Sequence, residues 1–327
     1  MRLRRLMLAA VALIAVLSGS VAAAQPAIGA RTITVEDLPG EPSIPLTIWY
    51  PAMERGVRAD GEPAATATAP LPGRHRLIVL SHGSGGMPLN HRSLIFHLVE
   101  TGSIVAAPLH PYDNGADHSG PGTDLQLLGR PRHIARSIDA LLAHATFGPL
   151  IDAQRIGLVG YSAGGYTGLV VVGGRPDFAL GPAHCAQASR DSGFCGWMRR
   201  GGIRRLRPDW TIVHDPRVRA AVLLAPAYGI YFDRRGLAEI TAPLRIYRAE
   251  ADEIVLHPYN EDQLRRALPR FPEYVVVPGG HFVFVSPCRG WTSSVWCRDP
   301  PGVDRAAVHR RMNGEIFDFF NRSLGKD

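Results

Sequence analysis

Six short apolar runs constrain this chain more than any other feature. They are "RLIVLS" (76–81), "SIVAAP" (103–108), "RIGLVGY" (155–161), "VRAAVLLA" (218–225), "PLRIYRA" (243–249) and "EYVVV" (273–277). Each is too short for an ordinary helix, and each is rich in Val, Ile, Leu or Ala without strict alternation. Such runs are strands buried on both faces, which is the condition of a parallel sheet. Helical patterns lie between them. Ile134, Ile138, Leu141 and Leu142 recur at i, i+4, i+7 and i+8, giving one apolar face to a helix over roughly 131–146. Asn260 is placed to cap a short helix that runs through Leu268 and stops at Pro269. Val308, Met312, Ile316, Phe319 and Phe320 stripe a last helix. Before the six runs, "RTITVEDL" (31–38) and "IPLTIWYPA" (44–52) read as an antiparallel pair, followed by a Pro/Ala/Gly-rich loop over 52–74. The expected class is α/β, a mostly parallel, doubly wound sheet.

One stretch breaks this rhythm. Residues 175–217 carry proline, glycine, two cysteines, two tryptophans and the arginines 199, 200, 204, 205 and 207, with no clear strand. A long insertion of this kind in a compact α/β domain is expected to be functional, and its aromatic content favours an ordered cap. With the insertion included, residues 25–327 form a single expected domain.

The third run ends in Gly160-Tyr161-Ser162-Ala163-Gly164, a G-x-S-x-G motif between an apolar strand and a small-residue helix. A serine in that strained turn presents its hydroxyl at the sheet edge, and the glycines relieve crowding around it. A nucleophilic serine needs partners. His82-Gly83-Ser84-Gly85-Gly86 after the first run supplies an expected oxyanion hole. Ser84 is the first candidate N–H donor in the loop and Gly83 the second, acting with the N–H of Ala163. His82 is expected to brace that loop. The chain order nucleophile, acid, histidine leaves His257, His281 and His309 as candidate bases. His281 follows the last apolar run and two glycines in "VVVPGGHFVF" and is the expected base. Asp252, in "EADE" after the fifth run, is the expected acid, with Glu250 as its alternative. His82, Gly83, His110, Tyr161 and Phe282 are candidate pocket residues, and His118 lies in the same loop as His110.

The N-terminus carries Arg2, Arg4 and Arg5, then an apolar stretch from Leu6 to Leu17, then "SVAAAQ". This is the pattern of a secretory signal peptide, residues 1–24, cleaved after Ala24. The expected location is periplasmic or secreted, with no membrane span in the mature chain. Loss of the three arginines lowers the formal charge from +7 to +4. The remaining basic residues belong to no nucleic-acid-binding module, so no nucleic-acid partner is expected. Four cysteines in an exported chain imply two disulfides. Cys185 lies near Cys195 and Cys288 near Cys297, and these local pairings are expected. No cysteine or histidine spacing suits a structural metal, and none is expected.

Strand, H-G-S-G-G, strand, G-Y-S-A-G, insertion, E-A-D and G-G-H-F in this order resemble the α/β-hydrolase superfamily across about residues 30–322. More closely, "LTIWYPA", "VLSHGSGG", "APLHPYDN", "GYSAGGYTGL" and "GGHFVFVSPC" resemble the exported group labelled predicted dienelactone hydrolases. That group is related to platelet-activating-factor acetylhydrolase-like and polyester-degrading enzymes. True dienelactone hydrolases use a cysteine nucleophile, whereas position 162 is serine. The resemblance implies an α/β-hydrolase fold and a serine esterase without cofactor, acting on a small-molecule, lipid or polymer ester. An acyltransferase, amidase or peptidase would use the same three side chains, and a silent binding protein on this fold is the remaining alternative.

Overall fold

The computed structural model describes residues 26–53, 56, 57, 63, 64, 68–187, 191–204, 206–208, 210–288 and 294–325. The expected signal peptide therefore lies outside the described residues. The ten strands among the described residues are β1 (Ala27–Val35), β2 (Ile44–Ala52), β3 (Gly56–Val57), β4 (Pro63–Ala64), β5 (His75–Ser81), β6 (Ile104–Pro108), β7 (Ile151–Tyr161), β8 (Val218–Leu224), β9 (Leu244–Ala249) and β10 (Glu273–Val277). Eight of them form one sheet in the order β1-β2-β6-β5-β7-β8-β9-β10, and β3 pairs with β4 apart from it. β1 and β2 are antiparallel, and β2 meets β6 antiparallel. From β6 to β10 every pairing is parallel. This is the α/β-hydrolase architecture.

The helices explain why the central strands read as continuous apolar runs. Along β7, Ile156 and Leu158 enter one core layer and Val159 and Tyr161 the other. The first layer is closed by α2 (Asp124–Leu127), α3 (Gly129–Ala143) and α4 (Ala163–Val171), through Leu127, Ile134, Ile138, Leu141 and Leu169. The second is closed by α1 (Arg92–Glu100) and α8 (Arg305–Leu324), through Leu94, Leu98, Met312, Ile316 and Phe320. A strand covered on both faces has no solvent side on which to alternate. Each fully buried Leu, Ile or Phe contributes about 1.5–3 kcal/mol relative to exposure. No helix among the described residues is long and apolar enough to cross a membrane.

Asn260 does stand at the N-cap of a short helix, α7 (Glu261–Ala267), but its side chain does not cap it. Its Oδ1 accepts the Gly229 N–H at 3.1 Å instead, tying α7 to the segment after β8. The long-range bond replaces the local one that sequence suggests.

The insertion is ordered by two short helices, α5 (Leu180–Gln187) and α6 (Ser192–Arg199), joined by a Cys185–Cys195 disulfide with Cα atoms 5.5 Å apart. Phe194 and Trp197 of α6 lie against Tyr231 and Tyr228, with ring centroids 5.5 and 5.3 Å apart. Part of the arginine cluster also has an internal use. Arg207 binds Asp124 at 2.6 Å and Glu41 at 2.9 Å, and Arg204 donates to the Pro121 carbonyl at 2.7 Å. Trp210 is held between the guanidinium groups of Arg207 and Arg132, 3.5 and 4.2 Å from its ring centroid. Cation–π contacts are worth about 0.5–2 kcal/mol each. Trp210→Ala should therefore loosen the insertion before the sheet. Limited trypsin digestion is expected to cut the variant within residues 175–217 at protease levels that leave the parent chain intact, with a change of only about 1–3 kcal/mol in global stability.

Candidate active site

Ser162 occupies the one residue between β7 and α4. Its backbone is at φ 53° and ψ −116°, a region costly for any residue with a side chain. Its N–H donates to the Leu224 carbonyl at 2.9 Å, and its own carbonyl accepts from Gly165 at 2.8 Å and Ala227 at 3.0 Å. Neighbouring backbone leaves no space for larger residues in the motif. A Cβ at position 160 would fall on the Gly164 carbonyl, and one at position 164 on the Ser81 carbonyl. Ala163 opens α4, so its N–H has no acceptor within the helix.

His281 begins the turn after β10, entered through Gly279 at φ 124° and Gly280. Its Nε2 lies 3.0 Å from Ser162 Oγ and its Nδ1 2.8 Å from Asp252 Oδ2. The carboxylate beside Nδ1 assigns the proton there and leaves Nε2 to accept from the serine hydroxyl. Asp252, in the loop after β9, is fixed by N–H donation to its Oδ1 from Ile254 at 2.9 Å and Val255 at 2.7 Å. The three side chains are nearly enclosed, with exposures of 9% for Ser162, 7% for Asp252 and 3% for His281. Glu250 is exposed. Glu253, the other carboxyl beside Asp252 in that loop, accepts the His281 N–H at 3.0 Å and so holds the histidine's backbone.

Other groups brace the His281 turn. Tyr161 donates its hydroxyl to the His281 carbonyl at 3.0 Å. Phe282 stacks on Trp296 with centroids 5.4 Å apart, beside the Cys288–Cys297 disulfide, whose Cα atoms are 5.8 Å apart. His309, a candidate base by chain order, sits in α8 with its Nε2 on the Val283 carbonyl at 2.9 Å and its Nδ1 2.6 Å from Ser93 Oγ. His257 is 3.7 Å from Asp262.

The H-G-S-G-G loop lies against the serine. A Cβ at position 83 would be 3.4 Å from Ser162 Cβ and would press on the Tyr161 ring. His82 is fully buried behind the loop, with Nδ1–H donating to the Gly83 carbonyl at 2.8 Å and Nε2 accepting from the His110 N–H at 3.3 Å. His110 is also fully buried, facing Ser81 Oγ at 2.9 Å and His133 at 3.2 Å. Both rings are enclosed by the segments packed around the loop. Among the described residues, His184, Asp191 and Cys195 form the one group with metal-donor proximity. The Cys195 sulfur is bonded to Cys185, and His184 Nε2 is engaged with Asp191 at 2.9 Å.

The sequence matches no protein-family model, and no curated protein is similar to it. Among solved structures, the chain is similar to a ferulic acid esterase from Streptomyces cinnamoneus, 20% identical, with 92% of this chain and 91% of that chain covered and a TM-score of 0.64. At that identity the likeness is one of fold.

Five histidines around the site are held neutral by burial. His82 is pushed down to about 3, and His91 and His309 to about 4. His110 lies well below its ordinary value and His133 below it, again through burial first. In the unfolded chain each titrates near about 6.5. Below that pH the unfolded state binds more protons, so stability falls as the pH drops. Glu261 acts in the opposite sense. It is fully buried, and burial, reinforced by the charge of Asp252, pushes its carboxyl up to about 8. Between its unfolded value, near about 4.3, and 8 the folded state holds the extra proton, so this contribution declines as the pH rises. The histidines dominate below pH ~6.5, and among the described residues Glu261 carries the pH dependence between there and about 8. Urea unfolding from pH 5 to 8.5 should show maximal stability near pH 6.5–7, with the steeper loss on the acid side. Glu261→Gln should remove the alkaline decline, which is at most about 1.4 kcal/mol per pH unit.

Proposed function

We propose that this chain is an exported serine hydrolase that cleaves carboxylic esters through an acyl-enzyme. The observation that carries the reading is the hydrogen-bonded line from Asp252 to His281 to Ser162 Oγ, with the serine at a strained strand-to-helix turn. Ser162 Oγ attacks the ester carbonyl while His281 Nε2 takes its proton. Asp252 keeps the imidazole in the accepting tautomer and stabilises the imidazolium that forms. The negative oxygen of the tetrahedral intermediate takes N–H bonds from Ala163 and from the loop at Ser84. Collapse breaks the bond to the leaving alcohol, which receives the proton from His281. Water, deprotonated by the same nitrogen, then releases the acid and restores the serine. Chain groups and water account for every proton and electron pair in this sequence, so it calls for no cofactor.

The fold likeness to a ferulic acid esterase supports esters as the substrates. The insertion bears on their size, since Gly193 of α6 packs against the Ile254 carbonyl, two residues from Asp252. Export is supported by the sequence pattern of residues 1–24 and by two disulfides, which persist in oxidising compartments.

A panel of p-nitrophenyl esters of increasing acyl length tests the reading and measures chain preference. Ser162→Ala is expected to lower kcat on the best ester by about 10⁶ without loss of fold. Asp252→Asn should cost about 10⁴ in kcat through the wrong histidine tautomer. Glu250→Gln, altering an exposed carboxyl, should stay within a few-fold of the parent. Substantial turnover by the Ser162→Ala variant would end the proposal.

A further inference from the structure

Beneath the H-G-S-G-G loop lies a buried charge that the steps above do not use. Asp113, in the segment after β6, is fully buried, and so is Arg130 of α3. Both carboxylate oxygens of Asp113 are engaged. Oδ1 accepts the Ser84 hydroxyl at 2.7 Å and the Gly85 N–H at 3.0 Å. Oδ2 accepts from Gln126 Nε2 at 2.7 Å and from Arg130 at 2.9 Å. Arg130 reaches on to the other end of the loop, donating to Ser81 Oγ at 3.2 Å and to the His82 carbonyl. Gln126 Nε2 also meets Ser84 Oγ at 3.1 Å, and its Oε1 accepts from Tyr228 at 3.3 Å. At the surface, His118 Nε2 lies 3.0 Å from Ser84 Oγ with its side chain 58% exposed.

We propose that Asp113, clamped by Arg130 and Gln126, is a positioning residue that sets the oxyanion-hole geometry by holding Ser84 and Gly85. The inference rests on the ester-hydrolase reading and assigns it a support that reading lacks. Gly83, Gly85 and Gly86 give the loop backbone freedom, and Gly85 sits at φ 65°. Stabilising an oxyanion requires donors fixed in advance of the reaction. The carboxylate takes the side chain of Ser84 and the N–H of the next residue together, while the loop lies against the serine, a Cβ at position 83 falling 3.4 Å from Ser162 Cβ. A buried ion pair is a poor device for stability alone, because desolvation offsets its attraction. In metal sites, outer groups that orient the ligands alter activity about 10–100-fold, and an effect of the same order is expected here.

The test uses the mature exported protein with Ser84→Ala, Ser84→Thr and Asp113→Asn variants. It compares kcat and KM on one p-nitrophenyl ester with inhibition by an alkyl trifluoromethyl ketone, whose serine adduct carries an oxyanion. Ser84→Ala is expected to lower kcat about 10–100-fold with KM within about twofold, and to weaken the ketone by the same factor. Ser84→Thr, which keeps the hydroxyl, should recover most of both. Asp113→Asn should lose at least as much as Ser84→Ala in both readouts. If Asp113→Asn does not fold, the Ser84 pair decides. Retention of kcat by Ser84→Ala, or loss of kcat without parallel loss of ketone binding, overturns the inference. Ser162→Ala separates the two claims: if it still turns over ester, the hydrolase reading falls. If it is inactive while Ser84→Ala is unaffected, only the role of Asp113 falls.

Discussion

The parallel run of strands from β6 to β10 decides where chemistry can occur in this molecule. Parallel strands deliver all their C-terminal ends to one edge of the sheet, and α/β folds place ligands at that edge. Five of those ends are used here. β5 leads into the His82–Gly86 loop, β6 into the segment holding Asp113, β7 into Ser162, β9 into Asp252 and β10 into His281. Side chains separated by up to 119 positions, as Ser162 and His281 are, meet because their strands share a direction. An antiparallel arrangement of the same strands would divide them between opposite edges.

That edge is held rigid by contacts that tolerate little change. The turn at Ser162 stores strain that the surrounding hydrogen bonds over-determine, with the carbonyls of Leu224 and Ser162 and the N–H groups of Gly165 and Ala227 all engaged. The His281 turn is braced from several directions, by Glu253 on its N–H, Tyr161 on its carbonyl and His309 on the carbonyl of Val283. The His82–Gly86 loop is tied below by Asp113. Burial of these braces has an electrostatic consequence. Histidines that would be half-charged near neutrality in water are kept neutral, so the architecture of the site is itself acid-labile.

Much of this was legible in the sequence because local pattern and global fold agree. The six apolar runs became β5 to β10, since strands covered on both faces must be apolar throughout, while segment 31–38 supplied the second half of β1 and segment 44–52 the whole of β2. The glycines around Ser162 and before His281 marked turns where a Cβ has no space. Asp252 could be preferred to Glu250 only by its place in the loop, and the structure brings Asp252 to His281. What stayed hidden depends on long-range partners. Asp113 and Arg130 draw no attention in sequence, because nothing within their own segments shows that they meet. The arginines of the insertion stand out in sequence as a basic cluster, yet Arg207 and Arg204 bind the chain's own groups. Asn260 was readable as a cap, but Gly229 claimed its side chain from 31 positions away. His110 follows a strand as pocket residues do, and only the packing of α3 shows it is enclosed.

The central claim is that Ser162, activated by His281, forms a covalent bond to the acyl carbon of an ester. Stoichiometric reaction with a p-nitrophenyl alkylphosphonate, followed by peptide mass spectrometry, tests this most directly. The account predicts one equivalent of p-nitrophenolate per chain, complete loss of esterase activity, and the phosphonyl group on the peptide containing Ser162. Its formation should slow by orders of magnitude in a His281→Ala variant. An adduct on a different residue, or full inactivation without any adduct at Ser162, would contradict it.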